Sequence, residues 1–196
     1  MLQILSILIG YFLGSIPFGL ILCRYIFGID IRKLGSGNIG ATNVHRNTGL
    51  VLGISVLVLD LLKGFFSAWI GFSLAGEYGA VAGGLAAIAG HNWSFYLKFV
   101  GGKGVATTAG VAIFLFPKAF LILLPLWVII VAITKYVSLA SVTSAIVMPF
   151  CVYLFGYTLP YIAMSILAGA FAVYRHKENI KRLKTGNESK FSLKKK

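Results

Sequence analysis

The chain has 196 residues, of which 58% are hydrophobic and only 12% charged, and its mean hydropathy is +0.89. A soluble domain of this length has no use for so much apolar surface, so the composition excludes a soluble globular protein and indicates an integral membrane protein. The formal net charge of +13 is unevenly placed, because half of the 18 basic residues follow Ala172. That distribution favours contact with anionic lipid and argues against nucleic acid as a partner.

Apolar segments follow one another along the whole chain, and we predict an all-α integral membrane protein with about seven transmembrane helices. Their approximate bounds are 2–27, 50–75, 78–91, 103–116, 118–134, 138–155 and 158–175. The third and fourth are shorter than the roughly 17 residues that cross a bilayer, so a re-entrant pair with five full spans stays open. Residues 1–196 are expected to form one membrane-embedded domain that ends in a flexible basic tail at 185–196.

The positions of Lys and Arg predict the orientation. With the N-terminus outside, the inner connections and the C-terminal tail hold 16 of the 18 basic residues, and Lys118 is the one basic residue of the outer connections. Such an asymmetry places the C-terminus and all three polar stretches, residues 33–46, 90–110 and 175–182, in the cytoplasm.

The apolar segments contain a few features that need a physical reason. Pro17 lacks a backbone donor and predicts a kink in the first helix. Asp60 and Lys63 lie three residues apart in the second segment, so they share a helix face and can pair, and a neutralised structural pair and a catalytic role are both open. Cys23 and Cys151 lie in apolar segments and are predicted to be buried thiols.

The first polar stretch, residues 33–46, formally contains the dinucleotide fingerprint at Gly35–Gly40. We reject that interpretation, since a membrane helix precedes the stretch where the fingerprint needs a strand. Its glycines still allow backbone N–H groups to face an oxyanion, and Arg46 adds a bidentate donor, so we predict a phosphate site. The alternative is a flexible, solvated loop. The candidate residues are Ser36, Gly37, Asn38, Gly40, Thr42, Asn43 and Arg46.

The second polar stretch contains Gly101-Gly102-Lys103-Gly104 at the start of the fourth segment. It is not a Walker A motif, because a glycine follows the lysine where Ser or Thr is required. A glycine-rich entry to a helix N-terminus beside a lysine nevertheless favours an anion. The alternative is a helix cap with a snorkelling lysine. The candidate residues are Gly102, Lys103, Gly104 and Thr107. His91, at the end of the third segment, is interpreted as a structural histidine.

The third polar stretch, residues 175–182, contains His176, Asn179 and Arg182 at intervals of three residues. On a helix that leaves the membrane, these side chains project to one side and could complete a phosphate site. The alternative is a basic juxtamembrane helix that contacts lipid head groups. No histidine is followed by an aspartate at the spacing of an acyltransferase His–Asp dyad, and the sequence offers no metal cluster.

Together these motifs, in this order, resemble the bacterial acyl-phosphate glycerol-3-phosphate acyltransferases, the PlsY family. The resemblance rests on the eight residues from Ser36 to Asn43 with Arg46, on Gly101–Thr107, and on the run from His176 through Arg182 to Glu188. It implies transfer of a fatty acyl group from acyl phosphate to the 1-hydroxyl of glycerol 3-phosphate, with lysophosphatidic acid and phosphate as products. It implies no cofactor and no metal, and a site at the cytoplasmic face of the bacterial plasma membrane.

For that chemistry we hypothesise roles for individual residues. Ser36 and Lys103 are expected to hold the acyl phosphate, and Arg46, His176 and Asn179 to hold glycerol 3-phosphate, while Arg182 and Glu188 complete the binding site. The proton leaves either to the phosphate or to His176 as a base. A transporter or channel for a phosphorylated solute is the alternative function, although it predicts midplane polar residues and an internal repeat, and the sequence offers little of either.

Overall fold

The computed structural model describes residues 1–192. All regular structure in this range is helical. The helices are α1 (Leu2–Ser15), α2 (Phe18–Phe27), α3 (Ala41–Thr48), α4 (Leu50–Asn92), α5 (Val105–Leu115), α6 (Pro117–Thr134), α7 (Val137–Leu154), α8 (Leu159–Arg175) and α9 (Lys177–Lys184), with short 3₁₀ turns at Ile31–Lys33 and Phe95–Leu97. The last four residues of the predicted basic tail, 193–196, lie outside the described range.

Several of these helices are suited to lipid. Four segments are long and apolar enough to cross a membrane: Leu2–Phe27, Leu50–Leu97, Pro117–Thr134 and Val137–Leu154. Large apolar side chains such as Leu121, Ile133 and Leu154 are 68–78% exposed, which suits a hydrocarbon solvent and not water. The predicted all-α integral membrane fold is therefore confirmed, whereas the number of spans and the sides of the termini stay predictions.

Two breaks in the backbone divide the long apolar segments. α1 ends at Ser15 and α2 begins at Phe18, so Pro17 interrupts the first segment where the sequence predicts a kink. α4 contains non-helical backbone at Ala75 and Gly76, where Gly76 has φ +59°. At this point the chain reverses, and the two arms of α4, residues 50–74 and 77–92, match the predicted second and third segments.

Glycines let the helices around α4 approach closely. A Cβ on Gly10 would lie 2.2 Å from the carbonyl oxygen of Gly83, so α1 and the second arm of α4 touch backbone to backbone. Gly71 and Gly79 make a similar contact between the two arms. In lipid, where no hydrophobic force drives helices together, such close van der Waals contact is a main source of cohesion. The second arm of α4 thus packs against α1 on one side and against the first arm of α4 on the other.

Charged groups in the bundle interior are paired. Lys63 Nζ lies 2.8 Å from Asp60 Oδ1, and neither side chain is more than 3% exposed. The predicted pair therefore forms, and it removes the isolated charge that hydrocarbon penalises most strongly. Cys23 and Cys151 are buried free thiols, as the sequence predicts.

Candidate active site

The three polar stretches line one cavity of about 510 Å³ at one end of the bundle. The first loop of this cavity comprises residues 35–46, of which 41–46 already belong to α3, and residues 101–104 form the second loop. The lining contains most of the predicted site residues: Ser36, Asn38, Gly40, Thr42, Asn43, Arg46, Lys103, Gly104, His176, Asn179, Arg182 and Glu188. Segments that are far apart in sequence therefore share one pocket, and its basic lining residues outnumber its two carboxylates.

The first loop is held by its own side chains, above all by the buried amide of Asn43. Its Nδ2 donates to the carbonyl oxygens of Ile31, Leu34 and Asn38 at 2.8–3.3 Å, and its Oδ1 accepts from the backbone N–H of Ser36 at 3.0 Å. One buried side chain thus bonds four backbone groups at this turn, and the Ser36 N–H and the Asn38 carbonyl depend on it for their partner.

Two helix N-termini border the cavity. The lining includes Gly40–Thr42 at the start of α3 and Gly104–Ala106 at the start of α5. The first N–H groups of a helix have no partner within the helix, and the helix dipole adds partial positive charge there. Both ends therefore favour an anion in the cavity, and Arg46 and Lys103 add full charges beside them.

A chain of hydrogen bonds joins the second loop to the C-terminal residues. Lys103 Nζ donates to Asn179 Oδ1 at 2.6 Å, and Asn179 Nδ2 donates to Glu188 Oε1 at 2.7 Å. The same carboxylate accepts from Ser138 Oγ at 2.7 Å and from Arg182 Nε at 2.8 Å. Burial disfavours the charge of Glu188, but these donors outweigh it and lower its pKa, so the carboxylate stays ionised.

Burial also displaces the pKa values of Lys103 and His176 in the cavity. Burial lowers the pKa of Lys103 to about 8, with nearby arginines assisting and Glu188 opposing. Burial also lowers the pKa of His176 to about 4, with the charge of Lys103 adding to the effect. His176 is therefore neutral near pH 7, and its Nδ1–H donates to the carbonyl oxygen of Ala172 at 2.7 Å, which leaves Nε2 with the lone pair.

The described part of the C-terminal tail, residues 185–192, contacts the rest of the site. Arg46 Nη2 donates to the carbonyl oxygen of Ser189 at 2.9 Å, and His45 Nε2 donates to that of Ser192 at 2.9 Å. The backbone N–H of Phe191 donates to the carbonyl oxygen of Lys135 at 2.7 Å. The sequence predicts a flexible tail from residue 185, whereas residues 188, 189 and 191 belong to the cavity lining.

Three predicted site residues, Gly37, Gly102 and Thr107, lie off the lining. Thr107 is fully buried, and its carbonyl oxygen faces Gly64 in the contact between α4 and α5. Gly102 lies against the imidazole of His91. A role for these three residues in substrate binding stays a prediction, since their contacts serve the backbone around the cavity.

Sequence reasoning missed several lining residues, all of which except His45 come from other helices. They are His45, Asp60, His91, Trp127, Ser138 and Ser141. Ser138 carried one usable signal, because it lies just past Lys135, in a connection that the charge distribution places on the same side as the three polar stretches. Asp60 and His91 are brought to the site by the reversal within α4, which sequence spacing does not reveal.

An apolar groove of about 230 Å³ continues from the cavity into the bundle. Leu57, Val105, Ala106, Trp127 and Ser141 line both spaces. From there the groove runs between α5, α6, α7 and α8, past Ala109 and Ala145 towards Met148. The site thus joins a cationic compartment to an apolar one.

Fold and site together define a helical integral membrane protein with an anion-favouring cavity that opens into an apolar groove. The family profile described as glycerol-3-phosphate acyltransferase matches residues 4–186, and the chain belongs to this family.

Its relatives match over nearly the whole length. The chain is 44% identical to a glycerol-3-phosphate acyltransferase of Carboxydothermus hydrogenoformans over 98% of both chains, and 43% identical to glycerol-3-phosphate acyltransferase 2 of Moorella thermoacetica over 95% of this chain and 96% of the relative.

Among solved structures, the chain resembles PlsY (YgiH), an integral membrane glycerol 3-phosphate acyltransferase, in two forms. The glycerol 3-phosphate form has a TM-score of 0.93 and 40% identity, and the form with lysophosphatidic acid has 0.88 and 38%. Each covers 97% of this chain and 96% of the other.

Proposed function

We propose that this protein transfers a fatty acyl group from acyl phosphate to the 1-hydroxyl of glycerol 3-phosphate. The hydroxyl oxygen attacks the acyl carbonyl and a new ester C–O bond forms. The anhydride C–O bond to phosphate breaks, and the products are lysophosphatidic acid and inorganic phosphate. The proposal extends the family's glycerol-3-phosphate acyltransferase activity to a particular donor and a particular hydroxyl.

The junction between cavity and groove carries this proposal. A donor that is phosphate at one end and alkyl chain at the other fits a space whose cationic part opens directly into an apolar part. The related PlsY forms with glycerol 3-phosphate and with lysophosphatidic acid correspond to an acceptor and a product of this reaction. A smaller donor without a chain would leave the groove unexplained.

The position of Lys103 supports its role as the group that holds the donor's phosphate. Lys103 directly precedes Gly104, the N-cap of α5, and Val105 and Ala106, which begin the helix and line both the cavity and the groove. A phosphate at this helix N-terminus meets the lysine and free N–H groups together, while its acyl chain enters the groove. These same donors stabilise the negative charge of the departing phosphate, with Ser36 across the cavity.

Arg46, His176 and Asn179 are assigned to glycerol 3-phosphate. Arg46 offers a fork suited to a phosphate, and its bond to the Ser189 carbonyl leaves further N–H groups available. Asn179 links this part of the cavity to Lys103. The arrangement brings the acceptor's hydroxyl towards the acyl carbonyl, so that positioning supplies a large share of the rate.

The proton of the attacking hydroxyl is proposed to leave with the phosphate. An acyl phosphate is an activated donor, so a strong protein base is not needed. A pKa of about 4 makes His176 a weak base. A pH–rate profile of the His176→Ala enzyme tests this, because a reduced rate with an unchanged profile supports proton transfer to phosphate, whereas loss of an ascending limb identifies His176 as the base.

We further propose that the protein lies in the bacterial plasma membrane with the cavity open to the cytoplasm. The support is the distribution of basic residues around the polar stretches. Both native cysteines are buried. Introduced cysteines Lys184→Cys and Glu77→Cys therefore report sidedness, and an impermeant maleimide on spheroplasts is expected to label only Glu77→Cys. The reverse pattern contradicts the orientation.

One assay tests the reaction. Purified protein in detergent receives glycerol 3-phosphate and a long-chain acyl phosphate, and phosphate release and lysophosphatidic acid are measured together. Equal amounts of both products are expected, and parallel reactions with acyl-CoA and acyl carrier protein donors are expected to give no ester. Activity with a thioester donor alone contradicts the donor assignment. Flux of glycerol 3-phosphate into vesicles without acyl product would favour the transporter.

A further inference from the structure

Four side chains that the proposed chemistry does not use surround the second loop. Asp60, Lys63 and His91 form a cluster on its inner side. Lys63 Nζ lies 2.8 Å from Asp60 Oδ1 and His91 Nδ1 lies 3.6 Å from the same oxygen, and no side chain in the cluster is more than 4% exposed. Arg175 lies on the outer side. Buried charge of this kind is costly in a membrane and needs a reason.

His91 forms the surface on which the loop lies. Its backbone carbonyl accepts from the N–H of Gly102 at 2.9 Å. A Cβ on Gly102 would lie 2.0 Å from His91 Nε2, so the loop backbone rests directly against the imidazole. Only glycine therefore fits at position 102. The position of this ring therefore sets the position of the loop.

The cluster is anchored at the break between α1 and α2. Lys63 Nζ donates to the carbonyl oxygen of Ile16 at 2.9 Å. One residue earlier, the carbonyl oxygen of Ser15 accepts from Ser94 Oγ at 2.6 Å, which fixes the chain just after His91. The carbonyl groups at the helix break thus hold Lys63, which belongs to the cluster, and Ser94, which follows His91 in the chain.

Arg175 holds the loop from the other side. Its Nη2 donates to the carbonyl oxygen of Gly101 at 2.7 Å and its Nε to that of Gly102 at 2.9 Å. The guanidinium also lies 5.9 Å from the ring centre of Trp93. Arg175 is not part of the cavity lining, so these contacts serve the loop and not a substrate.

We propose that Arg175 and the Asp60–Lys63–His91 cluster are positioning residues, which hold the second loop so that the Lys103 ammonium stands in the cavity. The inference rests on the proposed function. Three of the four loop residues are glycines, which have no side chains with which to fix their own conformation. Lys103 ends 2.6 Å from Asn179 Oδ1 only while the loop backbone stays in place. Support of this kind preorganises a catalytic group.

A double-mutant cycle tests the outer contact. Arg175→Met keeps an apolar stem beside Trp93 and removes both donors. We expect kcat/KM for acyl transfer to fall about a hundredfold, mainly in kcat. In a Lys103→Met background the same change is expected to alter kcat/KM by less than about twofold, because the group being positioned is gone. Equal factors in both backgrounds indicate a general structural role and overturn the proposal.

The support that the Asp60–Lys63–His91 cluster gives to the second loop is tested with a charge-neutral pair of changes. Asp60→Asn with Lys63→Met leaves no unpaired buried charge, so the bundle is expected to fold. In the Lys103→Met background, this pair of changes is expected to alter kcat/KM by less than about twofold, as for Arg175→Met. Lys177→Met is the matched control, because it removes a cation that lies 5.3 Å from the ring centre of Tyr174 without contacting the loop, and it should retain wild-type kinetics.

Hydrogen exchange gives a readout that is independent of the reaction. In the Arg175→Met protein we expect faster exchange at the amides of residues 99–104, with the rest of the chain unchanged, and no such change in Lys103→Met. Unchanged exchange in the loop overturns the inference. If the loop loosens as expected while the wild-type protein makes no ester, the proposed function fails instead.

Discussion

The first and second loops bring comparable chemistry to one cavity, yet they are held in different ways. The first is fixed from within, by the Asn43 amide and the backbone groups that it serves. The second is fixed from outside, by His91 and Arg175. A loop that faces phosphate can thus be fixed either by a polar side chain of its own or by residues of the surrounding helices. The second loop has three glycines and one lysine, so its conformation depends on the surrounding residues.

The largest effect is expected at Lys103, the one side chain of the second loop that reaches the cavity. Lys103→Met should lower kcat/KM about 10²- to 10³-fold, the usual cost of removing one preorganised donor from a developing anion. Phosphate release measures it. Lys98→Met is the control, because Lys98 lies in the preceding turn and off the lining. Near-normal kcat/KM for both substrates in Lys103→Met contradicts the assignment of this lysine to phosphate.

A change in the first loop is expected to lower activity by loosening that loop and not the second. Asn43→Ala removes the partners of the Asn38 carbonyl and of the Ser36 N–H, and each buried group left unpaired costs about 1–3 kcal/mol. Activity should fall roughly as far as in Arg175→Met, but in the first loop the amides of residues 34–40 should exchange faster and the second loop should stay protected. Thr48→Ala is a matched control, because Thr48 Oγ1 donates to the carbonyl oxygen of Val44 in its own helix and not to the loop. Loosening of both loops in Asn43→Ala would show that the two are not independently held.

A smaller, selective effect is expected in the groove. Ala145→Phe should fill it at mid-length, since Ala145 belongs to its lining. We expect kcat/KM for a long-chain acyl phosphate to fall about tenfold, while that for a short-chain donor changes little. Val128→Phe, on a lipid-exposed position of α6, is the control. An equal loss with both donors contradicts the assignment of the groove to the acyl chain.

The smallest effect is a pH dependence that separates the loops. The Lys103 ammonium is charged below its pKa of about 8 and neutral above it, so kcat/KM should decline as the pH rises through 8. Arg46 keeps its charge throughout this range and contributes no such limb. Lys103→Arg should lower the rate but abolish the decline between pH 7.5 and roughly 10. A decline that persists in this variant must arise from another group.

Local chemistry made part of the site predictable. Glycines beside Ser, Asn and Arg indicate an anion whatever the rest of the chain does, and the basic residues predict that three such stretches lie on one side of the membrane. The two residues that hold the second loop, Arg175 and His91, could not be predicted from the sequence. In the sequence, Arg175 is one more basic residue at a membrane boundary and His91 resembles a structural histidine, and their shared role emerges only when the loop between them is seen.

By itself the sequence determined the membrane environment, the break at Pro17 and the residues with phosphate chemistry, because composition, proline and donor type act over a few residues. The tertiary structure alone decided which distant groups meet. The reversal at Gly76 brings Asp60 to His91 across 31 positions of sequence, and the return of the chain after α9 brings Glu188 to Ser138 across 50. Such meetings depend on how helices pack in three dimensions, which no local pattern records.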